Sequence, residues 1–184
     1  MHLETPRLTL REFRVSDFDA LYAIDSRTEV VRFEPQMGAD GVGAYLHEAE
    51  MQAHIQPRTL FRFAITRKPD DTVRGLIGLS LNIRMTRDWE IAWMMHPDEW
   101  GKGYATEAAQ SVIDFAFQKL DAHRVVAFCD ADNRASERVM QKLGLRHEGS
   151  MRQTRLLRGE WRDELLYGVL ECEWPEIRRR SGLK

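Results

Sequence analysis

Cysteine is scarce in this chain, since Cys129 and Cys172 are the only two among 184 residues. The sequence has no CxxC pair and no Cys/His cluster with the spacing of metal ligands. These absences argue against a disulfide framework and against a structural zinc site, and we expect no bound metal. Cys129 lies in a β-branched stretch, where it is expected to be a small buried hydrophobe rather than a nucleophile.

Long apolar runs are also missing, because charged residues interrupt each one well before the roughly 18 residues that a membrane span needs. The N-terminal stretch alternates like a strand and has no signal-peptide core. Neither charge sign dominates, since 27 Lys and Arg face 29 Asp and Glu. This balance gives no electrostatic reason to expect nucleic acid as a partner. We therefore expect a cytoplasmic protein that binds neither nucleic acid nor a membrane.

Linkers, repeats and low-complexity segments are absent as well, and 43% of the residues are hydrophobic. That fraction argues against disorder, and the length suits one domain with its own core. We expect a single domain over residues 1–184.

Alternating and helical spacing predict the element order β-α-α-β-β-β-α-β-α-β-β. The strands are expected over residues 6–12, 60–68, 73–85, 88–96, 123–130, 145–157 and 161–171. The helices are expected after the N-cap Ser16-Asp17, over 45–53, over 104–119 and over 134–143. The stretch "EPQMGADGVG" is expected to lie outside regular structure.

The central strand–helix–strand unit determines how the sheet is arranged. By the crossover rule it makes strands 88–96 and 123–130 parallel neighbours. The fold class is therefore α/β, a mixed sheet with helices on both faces.

A glycine elbow, "EWGKGYATEA" (Glu99–Ala108), stands at the start of the helix over 104–119. A helix N-terminus presents unpaired N–H groups and about half a positive charge, which suits phosphate. Gly101 and Gly103 let a ligand approach the backbone, and Lys102 adds positive charge. The elbow thus indicates a pyrophosphate cradle, although a plain structural turn accounts for a lone GxG equally well.

Two better-known phosphate loops do not match the elbow. GxxxxGK[ST] fails because no glycine stands at the required spacing before Gly101, and because Gly103 directly follows Lys102. GxGxxG fails because Thr106 occupies the place of the third glycine.

Taken together, five segments resemble the GNAT acetyltransferase superfamily, in particular the branch of RimJ/RimL-type ribosomal-protein N-terminal acetyltransferases. They are "LETPRLTLREF", "GLIGLSL", "WEIAWMMHPDEWGKGYATEA", "DNRASERVMQKLGLRHEG" and "GEWRDELLYGVL". They run in family order along nearly the whole chain. The resemblance implies a GNAT-like fold and acetyl-CoA as co-substrate.

The resemblance also implies where acetyl-CoA would bind. Parallel strands 88–96 and 123–130 would splay apart, so that pantetheine amides could pair with their backbone like an added strand. The expected contacts are the backbone near Met94 and Met95, the side chain of Asn133, and the elbow amides of Trp100, Gly101, Lys102, Gly103, Tyr104, Ala105 and Thr106. Trp100 departs from the Arg or Gln usual at that place.

Acetyl transfer from a thioester to an amine needs a proton acceptor, a polarised carbonyl and a stabilised thiolate. In the family picture Ser136 lies near the thioester sulfur, and Ser136 is our candidate for that role. The alternative is that Asn133 and Ser136 only cap the helix. Many family members instead use a tyrosine one helical turn later, where this chain has Met140.

Glu90 is the candidate base, because it lies in the strand beside the expected gap and shares a face with Ala92 and Met94. A solvated strand residue or an ion-pair partner is the alternative for Glu90. His96 is a second candidate base. Some ribosomal-protein members carry a carboxylate where this chain has Arg155, which weakens the case for that substrate.

Three aromatic residues are expected either to pack in the core or to line the acceptor groove: Phe33, Trp89 and Trp93. Trp161 and Tyr167 match the closing hairpin, where packing is their expected role. Asp163, in the closing hairpin, suits an ion pair. The tail "EIRRRSGLK" is typical of a short solvated basic segment.

The sequence thus predicts an acetyl-CoA-dependent N-acetyltransferase using direct attack by a primary amine. A protein N-terminus is the first expected acceptor, and a polyamine, amino acid or antibiotic is the alternative. A non-catalytic acyl-CoA sensor and an unrelated phosphate-binding protein remain open, and the closing hairpin could support a homodimer.

Overall fold

The computed structural model describes residues 1–180, which form one eight-stranded sheet in the order β1-β2-β3-β4-β5-β6-β8-β7. Its strands are β1 His2–Glu4, β2 Leu8–Glu12, β3 Leu60–Arg67, β4 Val73–Ile83, β5 Asp88–Met95, β6 Arg124–Asp130, β7 Arg146–Leu157 and β8 Glu160–Leu170. Its helices are α1 Phe18–Asp25, α2 Gly38–Ala53, α3 Tyr104–Lys119, α4 Arg134–Lys142 and α5 Trp174–Arg180. None of the helices formed by these residues is long and apolar enough to cross a membrane.

The parallel pair predicted from the crossover rule is confirmed. β5 and β6 run parallel, whereas the other neighbouring strands of the sheet pair antiparallel. Helix α3 connects the two parallel strands. The carboxyl ends of β5 and β6 therefore lie at the same edge of the sheet, and the N-termini of α3 and α4 follow them there.

β5 and β6 separate soon after they begin. They pair at Asp88–Arg124, Trp89–Val125 and Glu90–Val126. Both strands then continue, to Met95 and to Asp130, without further pairing between them. The result is a gap in the sheet that opens from Glu90 toward the carboxyl ends.

Each face of the sheet carries its own core. On one face, Phe63 and Ile77 pack with Val112 and Ile113 of α3. On the other face, α1 and α2 contribute Leu21, Ile24, Val42 and Leu46, which pack against Ala64, Val73 and Leu76. Helices on both faces are what the sequence predicts, so this prediction is confirmed.

The prediction for α2 was wrong at its start, since the helix begins at Gly38 and not near Tyr45. Its glycines weaken the helical pattern, but Asp25 of α1 compensates. The buried Asp25 carboxylate accepts the N–H groups of Met37 at 2.9 Å and Gly38 at 2.8 Å. A tertiary contact therefore caps a helix that its own sequence does not mark.

Two further elements were missed. β1 pairs antiparallel with β2 and extends the sheet by a short edge strand. The expected basic tail is helical over Trp174–Arg180, because Trp174 is buried and donates its indole N–H to Asp114 at 2.7 Å. Its last residues, 181–184, lie outside the described residues.

Candidate active site

The glycine elbow has the backbone that only glycine adopts readily. Gly101 has φ +75° and Gly103, the N-cap of α3, has φ +82°. Within the described residues, the first amide of this turn to bond into the helix is that of Glu107, which donates to the Gly103 carbonyl at 3.0 Å. The preceding amides, from Gly103 to Thr106, are therefore the orphan donors of a helix start. They can bind an anion.

Contacts from both sides hold the elbow in place. The Trp100 indole N–H donates to the carbonyl of Met95 at 2.9 Å, which ties the turn to the end of β5. Lys102 donates to the buried carboxylate of Glu99 at 3.0 Å. The positive charge of Lys102 is thus largely offset, so the backbone amides are the main anion-binding groups.

The N-terminal segment anchors the same helix, which sequence reasoning missed. The carboxylate of Glu107 accepts the Thr5 hydroxyl at 2.7 Å, the Arg7 amide at 3.0 Å and the Arg7 Nε at 2.6 Å. The Arg7 guanidinium also lies 4.6 Å from the centre of the Tyr104 ring. These contacts join residues about a hundred positions apart, and nothing in the local pattern signals them.

The backbone N–H and C=O groups of Met94 and of Met95 point to opposite sides of β5. His96 donates its amide to Arg74 on β4 at 2.8 Å. Because an antiparallel ladder alternates, the backbone groups of Met94 also face β4, where it pairs with Leu76. Those of Trp93 and Met95 face the gap. The Met95 backbone therefore faces the gap, where contact with the ligand is expected, whereas the Met94 backbone faces β4. The Trp93 backbone also faces the gap, although the sequence did not single it out.

Helix α4 begins with a conventional cap. The Asn133 side-chain oxygen accepts the amide of Ser136 at 3.1 Å, so Asn133 caps α4, and its expected contact with pantetheine stays a prediction. The hydroxyl of half-buried Ser136 makes no hydrogen bond within residues 1–180. Met140, one turn later, is fully buried in the core and offers no acidic hydrogen.

Glu90 lies at the vertex of the gap, as the last β5 residue that pairs with β6. Its half-buried carboxylate has no ion pair with the described residues. Burial, followed by the nearby negative charges of Glu164 and Asp88, raises the pKa of Glu90. A carboxylate with a raised pKa is a better proton acceptor than an exposed one.

His96 is less suited to be the base, because its Nδ1 accepts the Asp98 amide at 3.2 Å. That bond caps the single 3-10 turn over Pro97–Glu99. Cys129 is buried, as expected, and burial together with the carboxylates of Glu137, Asp130 and Glu164 raises the pKa of its thiol to about 12. A thiol with that pKa is not a nucleophile at neutral pH.

The remaining candidates fall into separate groups. Trp89 belongs to the core, whereas Trp93 is half-buried beside the gap. Trp161 is exposed, and Tyr167 donates its hydroxyl to Glu137 at 3.1 Å. Asp163 accepts the amide of Gln153 at 2.8 Å, and it forms no ion pair with the other residues of 1–180, contrary to the expectation.

Arg155 contacts the loop between α1 and α2, in which Phe33 lies. Arg155 donates to Glu34 at 2.8 Å and to the carbonyl of Phe33. Glu34 and Phe33 belong to the loop between α1 and α2. No group of three or more His, Cys, Asp or Glu within residues 1–180 is arranged to hold a metal ion.

Comparison with known proteins agrees with this geometry. The family model "Acetyltransferase (GNAT) domain" matches residues 7–146. The chain is 32% identical over 177 residues to the Bacillus subtilis (strain 168) protein named "Uncharacterized N-acetyltransferase YnaD", which covers 95% of this chain and 99% of the relative. It is 24% identical over 177 residues to spermidine N(1)-acetyltransferase of Escherichia coli (strain K12), which covers 94% and 91%.

Among solved structures, RimJ of Mycobacterium smegmatis in complex with CoA-disulfide superposes with a TM-score of 0.84. That likeness covers 100% of this chain and 94% of RimJ at 21% identity, so it bears on the fold alone. The family match and the full-length relative bear on the activity. This chain belongs to the GNAT family of N-acetyltransferases, which use acetyl-CoA as co-substrate.

Proposed function

We propose that this protein transfers the acetyl group of acetyl-CoA to a primary amine by direct attack, with Glu90 as the base. The observation that carries the proposal is the position of Glu90. A carboxylate with a raised pKa and no ion pair among residues 1–180 lies where β5 and β6 part. A proton acceptor at the vertex of the gap suits an amine that must lose a proton before it attacks.

Acetyl-CoA fits the open backbone groups of β5 and of the elbow that follows it. The orphan amides from Gly103 to Thr106 suit a pyrophosphate, since the glycines leave room for it. The gap-facing backbone of Trp93 and Met95 suits an extended chain of amides. The Met95 carbonyl already accepts from Trp100, which leaves the Met95 N–H and the Trp93 groups for that purpose. Bound acetyl-CoA supplies the acetyl group as a thioester.

In the proposed reaction the amine loses its proton to Glu90, and its nitrogen bonds to the acetyl carbon as the carbon–sulfur bond breaks. Ser136 is assigned to the leaving sulfur, because its hydroxyl has no other partner among residues 1–180 and starts the helix after β6. A hydroxyl donor there stabilises the developing thiolate. No covalent enzyme intermediate is required.

We infer that the acceptor is a cationic amine. On the face of Glu90, the carboxylates of Glu34, Asp130 and Glu164 form their ion pairs within residues 1–180 with two side chains, Arg155 and Arg162. Together with Glu90 this leaves an excess of negative charge, which attracts ammonium groups. A protein N-terminus is one such acceptor. A polyamine is favoured by the same excess charge, and spermidine is the substrate named for one relative.

Release of free thiol from acetyl-CoA, measured with spermidine and with a peptide bearing a free N-terminus, tests the proposal. The N-acetylated peptide serves as the blocked acceptor. We expect thiol release with at least one free amine, and mass spectrometry should locate one acetyl group on it. Glu90→Gln should lose this activity, whereas Glu50→Gln, at an exposed position of α2, should retain it.

Binding of coenzyme A without thiol release in the presence of any amine would identify an acyl-CoA sensor and contradict the proposal. Equal turnover of Glu90→Gln and the unaltered protein would leave the activity standing but remove Glu90 from it.

A further inference from the structure

Two arginines hold the loop between α1 and α2, residues 26–37, against the β7–β8 hairpin. Arg158 donates to the carbonyls of Val31 at 2.7 Å, Glu34 at 3.2 Å and Arg32 at 3.3 Å. Arg155 donates to the Glu34 carboxylate at 2.8 Å and to the carbonyl of Phe33. Four consecutive loop residues are thereby bonded to one hairpin. We call Arg155 and Arg158 the arginine clamp.

A bulge in β7 accompanies this placement of Arg155. The register with β8 shifts between Met151 and Arg155, and Gln153 has φ +53°. The amide of Gln153 donates to Asp163 at 2.8 Å, which fixes the bulge. Bulges re-aim the side chains that follow them. The strand thus directs Arg155 across the sheet face instead of along its edge.

Arg155 also lies among carboxylates that influence Glu90. Its Nε is 3.6 Å from Glu164, and its Nη2 is 3.9 Å from Asp130. The buried Nε has no hydrogen-bond acceptor within residues 1–180. Glu164 is the largest charge effect on Glu90, and it acts in the direction that favours the protonated acid. Arg155 therefore connects the loop to the surroundings of the proposed base.

We propose that Arg155 is a positioning residue of the acceptor side. With Arg158 it holds the loop against the hairpin on the sheet face that carries Glu90, and through Glu164 it sets the charge around Glu90. The closure stands on contacts alone. The effect on Glu90 rests on the proposed function, in which Glu90 is the base.

The charged groups around Glu90 give the sign of the effect. Asp88 on β5 and Glu164 on β8 act on it directly, and Arg124 lies 3.6 Å from Asp88. Arg155, Glu34 and Asp130 surround Glu164 and complete the set. Without Arg155 the charge of Glu164 is less balanced, so the pKa of Glu90 rises further. A base that must be unprotonated then becomes active only at higher pH.

Hydrogen exchange of the intact protein tests the closure. The amides of Val31 and Glu34 donate to Arg27 at 3.1 Å and to Val31 at 3.3 Å, so they report on the loop. Arg155→Met and Arg158→Met should each speed their exchange by roughly tenfold, since each variant removes hydrogen bonds to the loop. Arg152→Met, exposed on the same strand, is the matched control and should leave it unchanged. Exchange within twofold of the unaltered protein in both clamp variants would overturn the closure.

Amides of β3 serve as a check on folding, because global destabilisation would speed them as well. If Arg155→Met unfolds, two other variants test the closure of the loop. Arg155→Lys preserves the positive charge, and Arg158→Met lies at the exposed turn of the hairpin. Arg155→Lys keeps the positive charge but loses the forked geometry. It should therefore speed loop exchange while leaving the pH dependence close to that of the unaltered protein.

The pH dependence of kcat/KM for thiol release tests the second part. The acid limb should move to higher pH in Arg155→Met and return in Arg155→Lys. If Arg155→Met is active and the acid limb of its pH profile lies at the same pH as in the unaltered protein, Arg155 does not influence the proposed base. If the unaltered protein transfers no acetyl group, the proposed function fails, and loop exchange still decides the closure.

Discussion

The two sides of the gap differ in whether a carboxylate and a helix start have side-chain partners. On the β5 side, Glu90 has no ion pair among residues 1–180, and α3 starts without a side-chain cap. On the β6 side, Asp130 accepts Nε and Nη2 of Arg162 at 2.8 and 3.0 Å, and Asn133 caps α4. Buried polar groups are normally satisfied within the fold. The groups left without a partner, which include the Ser136 hydroxyl at the start of α4, are the groups available to a ligand.

Glu90→Gln should produce the largest change, on the open side. We expect kcat/KM to fall by about 100-fold, a typical loss when a proton acceptor is removed. Binding of coenzyme A should be unchanged. Stability at neutral pH should rise slightly, because a raised pKa means that folding disfavours the charged carboxylate. Steady-state kinetics and urea unfolding measure the two effects, and a large loss of stability would place Glu90 among the structural groups instead.

Asp130→Asn should act on the satisfied side, through stability. Loss of its charged hydrogen bonds should lower the free energy of unfolding by about 2 kcal/mol at pH 7. Arg162 and the Asp132 amide hold the pKa of Asp130 below its ordinary value, although burial opposes them. The carboxylate therefore stabilises the fold above its unfolded pKa, and this stabilisation is lost as pH falls through the folded pKa. The difference between variant and unaltered protein should shrink in acid, and a constant difference would contradict this account.

Gly103→Ala tests the elbow. A left-handed residue with a Cβ costs roughly 1–2 kcal/mol, and the new Cβ would lie 3.5 Å from Arg7. We expect about tenfold weaker binding of coenzyme A by titration calorimetry, since a shift of the turn misdirects its amides. Gly149→Ala, whose Cβ would meet nothing within 4 Å, is the control. Equal affinity in both variants would show that the elbow is only a turn.

Asn133→Ala should give the smallest change. Loss of the cap should cost about 1 kcal/mol of stability. Because the Asn133 oxygen already accepts the Ser136 amide, affinity for coenzyme A should change less than twofold. A larger loss of affinity, measured together with the melting temperature, would show that Asn133 takes part in binding coenzyme A.

Much of the fold was predictable because strong periodicity marked it. Helix α3 and strands β3 to β6 follow unambiguous apolar spacing, and the parallel pair follows from the crossover rule. The start of α2 and the whole of α5 were not predictable, since Asp25 and Asp114 stabilise them from distant elements. Local patterns do not carry such tertiary contacts.

The candidate site divides in the same way. The elbow was predictable because Gly101 and Gly103 stand directly before the helical spacing of α3, where free amides are expected. Three features of the site were not predictable: the contact of Lys102 with Glu99, the direction of the Met94 backbone groups toward β4, and the arginine clamp. Arg155 and Glu34 are 121 positions apart, and their meeting depends on a bulge that no residue pattern announces.

The early separation of β5 and β6 has a mechanical consequence. The sheet consists of a five-stranded piece, β1 to β5, and a three-stranded piece, β6 to β8, joined along the sheet at a narrow waist of three residue pairs. A molecule bound along both edges of the gap would connect the two pieces of the sheet in addition to those three residue pairs. Pulling the two pieces apart in a single-molecule experiment should then require more force when the gap is occupied, even though no bond within either piece has changed.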